Sequence, residues 1–225
     1  MVTVLGLDCA SSSCSVAALI DRDIASSRQV AMERGQAEAL LPMIDAVLAE
    51  ARLDVSALDL IAVTVGPGSF TGVRTGLATA RGLALASGRP LIGVTCFEVA
   101  AHAVSRDAAG LPLLVALESK RAELFLQRFD RDGPGEPALV PASAWSSFAP
   151  TGPFVVAGDG AQRFAAGLER KDLRIAEPPA HANAITAAHL GAERWKNGTR
   201  LPPPAPLYLR APDVTVAPTR GKPAP

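Results

Sequence analysis

The chain has 225 residues, with 22 basic and 22 acidic side chains and a formal net charge of zero. A length of this order buries roughly 70–75% of the unfolded surface, as one large domain or two small ones. The charge balance argues against an autonomous nucleic-acid binder, whose surface carries a basic surplus, and no apolar run approaches the ~20 residues of a membrane span.

In chain order, Val2–Leu7 reads as a strand entered without a basic leader, so no signal peptide is expected. Ser15–Ile20 and Ile24–Val30 read as the next two strands. Between the first two lies the acid- and hydroxyl-rich turn Asp8-Cys9-Ala10-Ser11-Ser12-Ser13. Gln36–Ala51 reads as a helix that Pro42 either kinks or starts. Ala37, Leu40, Leu41, Ile44, Leu48 and Ala51 are at core spacing, and Ala39, Met43, Ala46 and Val47 form a second apolar stripe. A helix apolar on two sides is buried on both.

Leu60–Val65 is a short, buried-type strand, and Gly66, Pro67, Gly68, Ser69, Phe70, Thr71 and Gly72 join it to an Ala- and Leu-rich helix. Such a loop either aims backbone N–H groups at an anion or supplies tight turns and close packing. It is neither a Walker A loop, for want of a Lys, nor a dinucleotide fingerprint, because Thr71 stands where the third Gly belongs. Gly72, Gly76, Ala80 and Ala84 recur every four residues and leave one helix face nearly bald. That ridge fits close approach of a partner helix or packing onto the chain's own sheet. Arg74 and Arg81, seven apart, face rim carboxylates, nucleic acid or solvent.

Leu91–Val94 is a strand, and Thr95-Cys96-Phe97-Glu98 matches a capping box that opens a helix to about Ser105. After a turn at Ala108-Ala109-Gly110, Leu113–Glu118 and Glu123–Phe129 form a hairpin around Ser119-Lys120-Arg121. A loop with a short strand near Leu139 precedes the strand Phe154–Ala157. Gly158-Asp159-Gly160 then turns into a helix near Ala161–Leu168, and Ala184–Lys196 is the last helix. From Ala211 the Pro-rich tail lacks apolar periodicity and reads as mobile.

Nucleophile and metal motifs are missing. There is no HExxH, His102, His181 and His189 have no ligand spacing, and Ser69 lies in no GxSxG elbow. Cys9, Cys14 and Cys96 are odd in number without zinc spacing, and reduced thiols in a cytosolic protein are the economical reading.

GPGSFTGVR at the head of the Gly/Ala helix resembles the hallmark of the TsaB (YeaZ) family, partner subunits of the bacterial tRNA threonylcarbamoyladenosine machinery. The resemblance runs from LGLDCASSSCSVAAL through GVTCFE, ALESKRAELF and AGDGA to PLYLR. It implies an α/β fold of the actin-like ATPase and sugar-kinase superfamily (ribonuclease H-like), with two subdomains of mixed sheets flanked by helices. The expected division is 1–105, a reduced second subdomain 106–210, and the tail 211–225. In that superfamily the first turn holds phosphate, so Asp8 and Ser11 resemble its ligands; a hairpin turn satisfying its own backbone is the alternative.

With Gly66, Gly68, Ser69, Thr71, Gly158, Asp159 and Gly160, those two residues make a candidate vestigial nucleotide or anion site. Glu118, Lys120 and Arg121 crowd the second phosphate loop and meet an anion at the rim or simply face water, and Asp159 interrupts the expected Gly-Gly adenosine turn. In the catalytic paralogue, TsaD, two metal-binding His stand where this chain has Cys96 and Ala100, which implies a lost metal site. Glu98 remains as a cap.

The implied function is a non-catalytic subunit that binds TsaD, and with it the ATPase TsaE, in the cytoplasm. It would meet tRNA through the complex, dimerise with itself when alone, and need no metal or cofactor beyond weak ATP or ADP binding in the complex. An ATP-dependent kinase of the same fold and a metalloprotease are the competing readings. The expected partner interface is Leu40, Met43, Val47, Gly72, Gly76, Ala80 and Ala84.

Overall fold

The computed structural model describes residues 1–104, 110–177, 182–198 and 202–210. Ser105, Ala108, Ala109, His181 and the tail from Ala211 lie outside them.

β1 (Thr3–Asp8), β2 (Ser13–Ile20) and β3 (Asp23–Ala31) form an antiparallel meander. Asp21 makes its second turn in the left-handed region, φ 58°, where its carboxylate accepts the Val2 N–H at 2.8 Å. α1 (Gln36–Ala51) then leads to β4 (Leu60–Thr64), and α2 (Phe70–Ser87) leads to β5 (Leu91–Val94). β4 pairs parallel with β1 and β5 parallel with β4, giving the order β3-β2-β1-β4-β5. Parallel neighbours require crossovers of about a dozen residues, which the two helices supply.

α3 (Cys96–Val104) starts in the expected capping box. The Thr95 N–H donates to Glu98 Oε2 at 2.8 Å, and the Glu98 N–H returns to Thr95 Oγ1 at 3.1 Å. The second half is β6 (Leu113–Glu118), β7 (Leu124–Asp130), β8 (Gly133–Pro134), β9 (Ala138–Val140), α4 (Trp145–Phe148), β10 (Phe154–Ala157), α5 (Ala161–Leu168) and β11 (Leu173–Ile175). Its sheet runs β11-β10-β6-β7-β8, with β9 also on β7. With β9 left out of the count, the strands of each half lie third, second, first, fourth, fifth across their sheet.

α6 (Ala184–Lys196) corrects the expected boundary between subdomains. It packs on β1, β2 and β4 of the first sheet, whereas α3 packs on β6 and β10 of the second. Two glycines allow this: a Cβ on Gly6 would overlap the Ala184 carbonyl, and one on Gly191 would crowd Ala62. The halves therefore exchange their third helices. Arg194 of α6 pins the exchange by pairing with Glu98 of α3 and donating to the Gly93 carbonyl.

Three apolar layers result. α1 and α2 cover the outer face of the first sheet, α3 and α6 fill the space between the sheets, and α4 and α5 cover the second.

The expected partner residues fall inside the first of these layers. Leu40, Met43, Val47 and Ala80 are buried against Leu5, Leu7, Ile61 and Val63. A Cβ on Gly72 would overlap the Cys9 carbonyl oxygen, and one on Gly76 would touch Cys9 Cβ at 3.5 Å. Ala84 is half-buried against the same layer. Apart from the exposed Ala37 and Leu41, the two apolar stripes of α1 are one broad inward face, and the bald face of α2 exists so that the helix can sit close on the β1–β2 turn. α1 runs unbroken through Pro42, and its Leu41 points outward.

Candidate functional site

Two surfaces deserve a site's scrutiny: the cleft between the halves and the outside of α1 and α2. The cleft, about 670 Å³, is bounded by the β1–β2 turn, the glycine loop, the β6–β7 hairpin and the segment 207–210. Of the expected anion-site residues, Ser11, Gly68, Ser69 and Asp159 line it.

Asp8 does not face the cleft. It is fully buried, with Oδ1 accepting from Thr64 Oγ1 at 2.6 Å and the Ala10 N–H at 3.1 Å, and Oδ2 accepting from Ser11 Oγ at 2.8 Å. Burial pushes its carboxyl above the usual range, against the pull of those hydrogen bonds. The turn thus satisfies its own acid and hydroxyl groups.

The glycine loop is also turned inward. Ser69 caps α2 by accepting the Gly72 N–H at 3.2 Å and donates its own N–H to the Ala10 carbonyl at 2.8 Å. A Cβ on Gly68 would overlap that same carbonyl. Gly66, at φ +97°, gives its carbonyl to the Cys96 N–H at 2.8 Å, and Thr71 is exposed on the first turn of α2.

Across the cleft the second glycine turn repeats the device. Gly158 and Gly160 press on the Ala116 carbonyl, and Gly158 holds φ +100°. Asp159 accepts the Glu118 N–H at 2.8 Å, which ties the turn to the hairpin. Burial raises the Glu118 carboxyl although Arg163 lies 3.1 Å away. Lys120, at φ 59°, stands on the rim 3.7 Å from Glu33. Among the described residues no group of three or more His, Cys, Asp or Glu could hold a metal, and no helix is long and apolar enough to cross a membrane.

The segment 202–210 closes one side of the cleft, and its role was missed. The Leu207 N–H donates to the Val65 carbonyl at 2.8 Å, and Arg210 pairs with Glu123 at 3.0 Å, so the segment straps the halves together. Arg81 donates to the Pro204 carbonyl at 2.6 Å. Arg74 donates to the Tyr208 hydroxyl at 2.8 Å while its guanidinium lies 3.6 Å over the Phe70 ring. The two arginines therefore hold the strap. Its sequence signal was there: Leu207 and Leu209 pack inward while Tyr208 between them is exposed.

The outside of α1 and α2 is the more unusual surface. Leu85 is 87% exposed, Leu41 52% and Phe70 47%. Ala78, Gly82 and Ala86 recur every four residues on the outer side of α2, all exposed, and nothing lies within 4 Å of a Cβ on Gly82. An exposed Gly inside a helix costs ~1 kcal/mol against Ala. A second small-residue ridge thus faces outward, on the side of the helix opposite the buried one.

Comparison with known proteins agrees with this geometry. The profile of the family described as TsaD, tRNA N6-adenosine threonylcarbamoyltransferase, matches residues 29–138. The Escherichia coli tRNA threonylcarbamoyladenosine biosynthesis protein TsaB is 28% identical over 220 residues, spanning 92% of this chain and 94% of that protein. The structure of YeaZ from Pseudomonas aeruginosa superposes with a TM-score of 0.78 at 25% identity, over 93% of this chain and all of that one. A ROK hexokinase from Thermus thermophilus, 17% identical with a TM-score of 0.51 over 86% of this chain and 99% of that one, shares the fold alone.

Proposed function

The chain belongs to the TsaB (YeaZ) family of tRNA threonylcarbamoyladenosine biosynthesis proteins, and from that premise we propose that it is a non-catalytic subunit docking a TsaD-type threonylcarbamoyltransferase on the outer faces of α1 and α2. The observation that carries this reading is the exposed ridge Ala78, Gly82 and Ala86 with Leu85 on α2, together with the exposed Leu41 on α1. Small residues let a partner helix approach closely, and the exposed leucines supply apolar area. A stable interface buries ~800 Å² per partner, within reach of two helices of 16 and 18 residues.

In the same reading a second copy covers this face when the protein is alone, and TsaE joins through the complex. The tRNA is met through the complex too, and the working compartment is the cytoplasm. The chain has no resident metal or cofactor, and any ATP or ADP affinity belongs to the assembled complex. A kinase would need an open phosphate cradle, but Asp8 is sealed and both glycine turns are occupied by packing.

The test is co-purification with the TsaD-type paralogue. Gly82→Arg and Leu85→Glu should each stay folded and lose co-elution; binding at full affinity would put the interface elsewhere. Supplied with tRNA, ATP, threonine, bicarbonate and the adenylate-forming enzyme, the chain without TsaD should leave the tRNA unmodified.

A further inference from the structure

β1 and β2 pair in an antiparallel register that ends at Asp8 opposite Ser15. One step further places Cys9 opposite Cys14, across the turn Ala10–Ser13. Strand alternation turns both side chains to the α1–α2 side, into the same apolar layer as Leu7 and Val16. Their sulfurs are 3.5 Å apart and buried. Cys96, the third free cysteine, belongs to the layer between the sheets.

Opposed residues of antiparallel strands have Cα atoms about 4.5–5.5 Å apart. A disulfide asks for about 4.4–6.8 Å between Cα atoms and an S–S length near 2.05 Å. The backbone spacing therefore suits a bond, and only an approach of about 1.5 Å between the sulfurs is left.

We propose that Cys9 and Cys14 form a reversible disulfide when the protein meets a peroxide, and that this modification acts on the seat of α2. The hydrogen bond between the thiols pushes Cys9 up and draws Cys14 down, so Cys14 is the sulfur that ionises first. Its thiolate attacks one peroxide oxygen, the O–O bond breaks, hydroxide leaves, and Cys14 becomes a sulfenic acid. The Cys9 sulfur then attacks the Cys14 sulfur and displaces that oxygen, which leaves as water with the Cys9 proton. Two thiols are oxidised to one disulfide, and the peroxide is reduced to two waters. A dithiol reductant reverses the bond by exchange and becomes a disulfide itself. Both thiols are buried, and the turn that joins them, with Ala10, Ser11 and Ser12 lining the cleft, is the segment that must open to admit the peroxide.

The consequence reaches α2 through contact. Gly72 rests on the Cys9 carbonyl, and Gly76 rests on its Cβ. Drawing Cys9 toward Cys14 moves the floor under the first two turns of α2, whose outer side is the proposed partner face. This second step rests on that assignment, and the bond itself does not.

The reduced chain is treated with hydrogen peroxide, quenched, alkylated in denaturant and digested with trypsin. The peptide Met1–Arg22 should come out unalkylated and lighter by two hydrogen atoms, and dithiothreitol should restore it. Cys9→Ser and Cys14→Ser should each lack that species. Full alkylation of both cysteines after peroxide, or a sulfinic acid on one with the other free, overturns the bond. With the TsaD-type partner, the oxidised protein should bind roughly fivefold or more weakly than the reduced one, and Cys9→Ser should be indifferent to peroxide. Equal affinity with the mass shift present overturns the coupling to α2. A reduced protein that binds no partner at all sinks the functional assignment and leaves the mass result standing.

Discussion

The two halves are built on one strand order but finished differently. Around the first sheet the outer helices have 16 and 18 residues; around the second, α4 has 4 and α5 has 8. The short pair is consumed by its own layer, where Trp145 and Phe164 pack with ring centroids 5.6 Å apart. The long pair covers its sheet and still presents Leu41 and Leu85 to the outside. Where the halves agree, the agreement is structural: after β4 in the first and β10 in the second, a glycine turn sits on the end of that half's first strand or the turn after it. The shared feature holds the fold, and the surplus helix length carries the face proposed above for the partner.

The sharpest way to break this contrast is to charge the two ridges of α2 separately. Ala80→Arg places a guanidinium in a fully buried position, and the expected loss exceeds about 4 kcal/mol, enough to unfold the chain. Gly82→Arg, two positions on, meets open space and replaces Gly with a good helix former, a gain of ~1 kcal/mol at most. Urea melts of both variants decide it. An Ala80→Arg protein with a native melt would mean that the inner face is not core.

The next largest effect compares the glycine turns themselves. Gly72→Ala and Gly158→Ala each push a methyl into a carbonyl, of Cys9 and Ala116 respectively, and each should cost ~1–3 kcal/mol. Gly158→Ala should cost more, because φ +100° adds about 1 kcal/mol or more of backbone strain. Were these turns phosphate cradles, alanine would instead leave stability intact and change only anion affinity. Thermal melts and ATP titration on the same samples separate the two.

Most elements were legible because their signals are local. Gln36–Ala51, Phe154–Ala157, Ala161–Leu168 and Ala184–Lys196 carry period and boundary in their own residues, as does the Thr95–Glu98 box. Signals that depend on the other end of the chain were not legible. Nothing near Gly72 says that its neighbour is the Cys9 carbonyl, or near Gly6 that α6 will return to the first sheet. Arg74 and Arg81 read as surface charges because their partners, Tyr208 and Pro204, lie more than a hundred residues away. Periodicity also counted two apolar stripes on α1, yet only the fold decides that most of both point inward while Ala37 and Leu41 stay outside. β11, three residues long and half-exposed, carried no pattern at all.

The smallest effect concerns Asp8, where the first half keeps an acid and the corresponding end of β6 in the second has the half-buried Glu118. Burial raises the Asp8 carboxyl above its ordinary 3.8, more than Thr64, Ser11 and the Ala10 N–H lower it. A raised acid binds its proton more tightly in the folded chain than in the unfolded one. Its contribution to stability is therefore fully present below about pH 3.8 and fades as pH rises through the folded value. Asp8→Asn removes that titration but keeps the side-chain volume and one acceptor oxygen. The stability of the wild type relative to Asp8→Asn should be greatest in acid and decline with rising pH, levelling once the carboxyl is ionised in both states. Chemical melts at closely spaced pH values measure the difference directly. A wild-type advantage that instead grows with pH would mean that the three hydrogen bonds outweigh burial. Asp8 would then be held as a carboxylate, the form that the phosphate-site alternative requires.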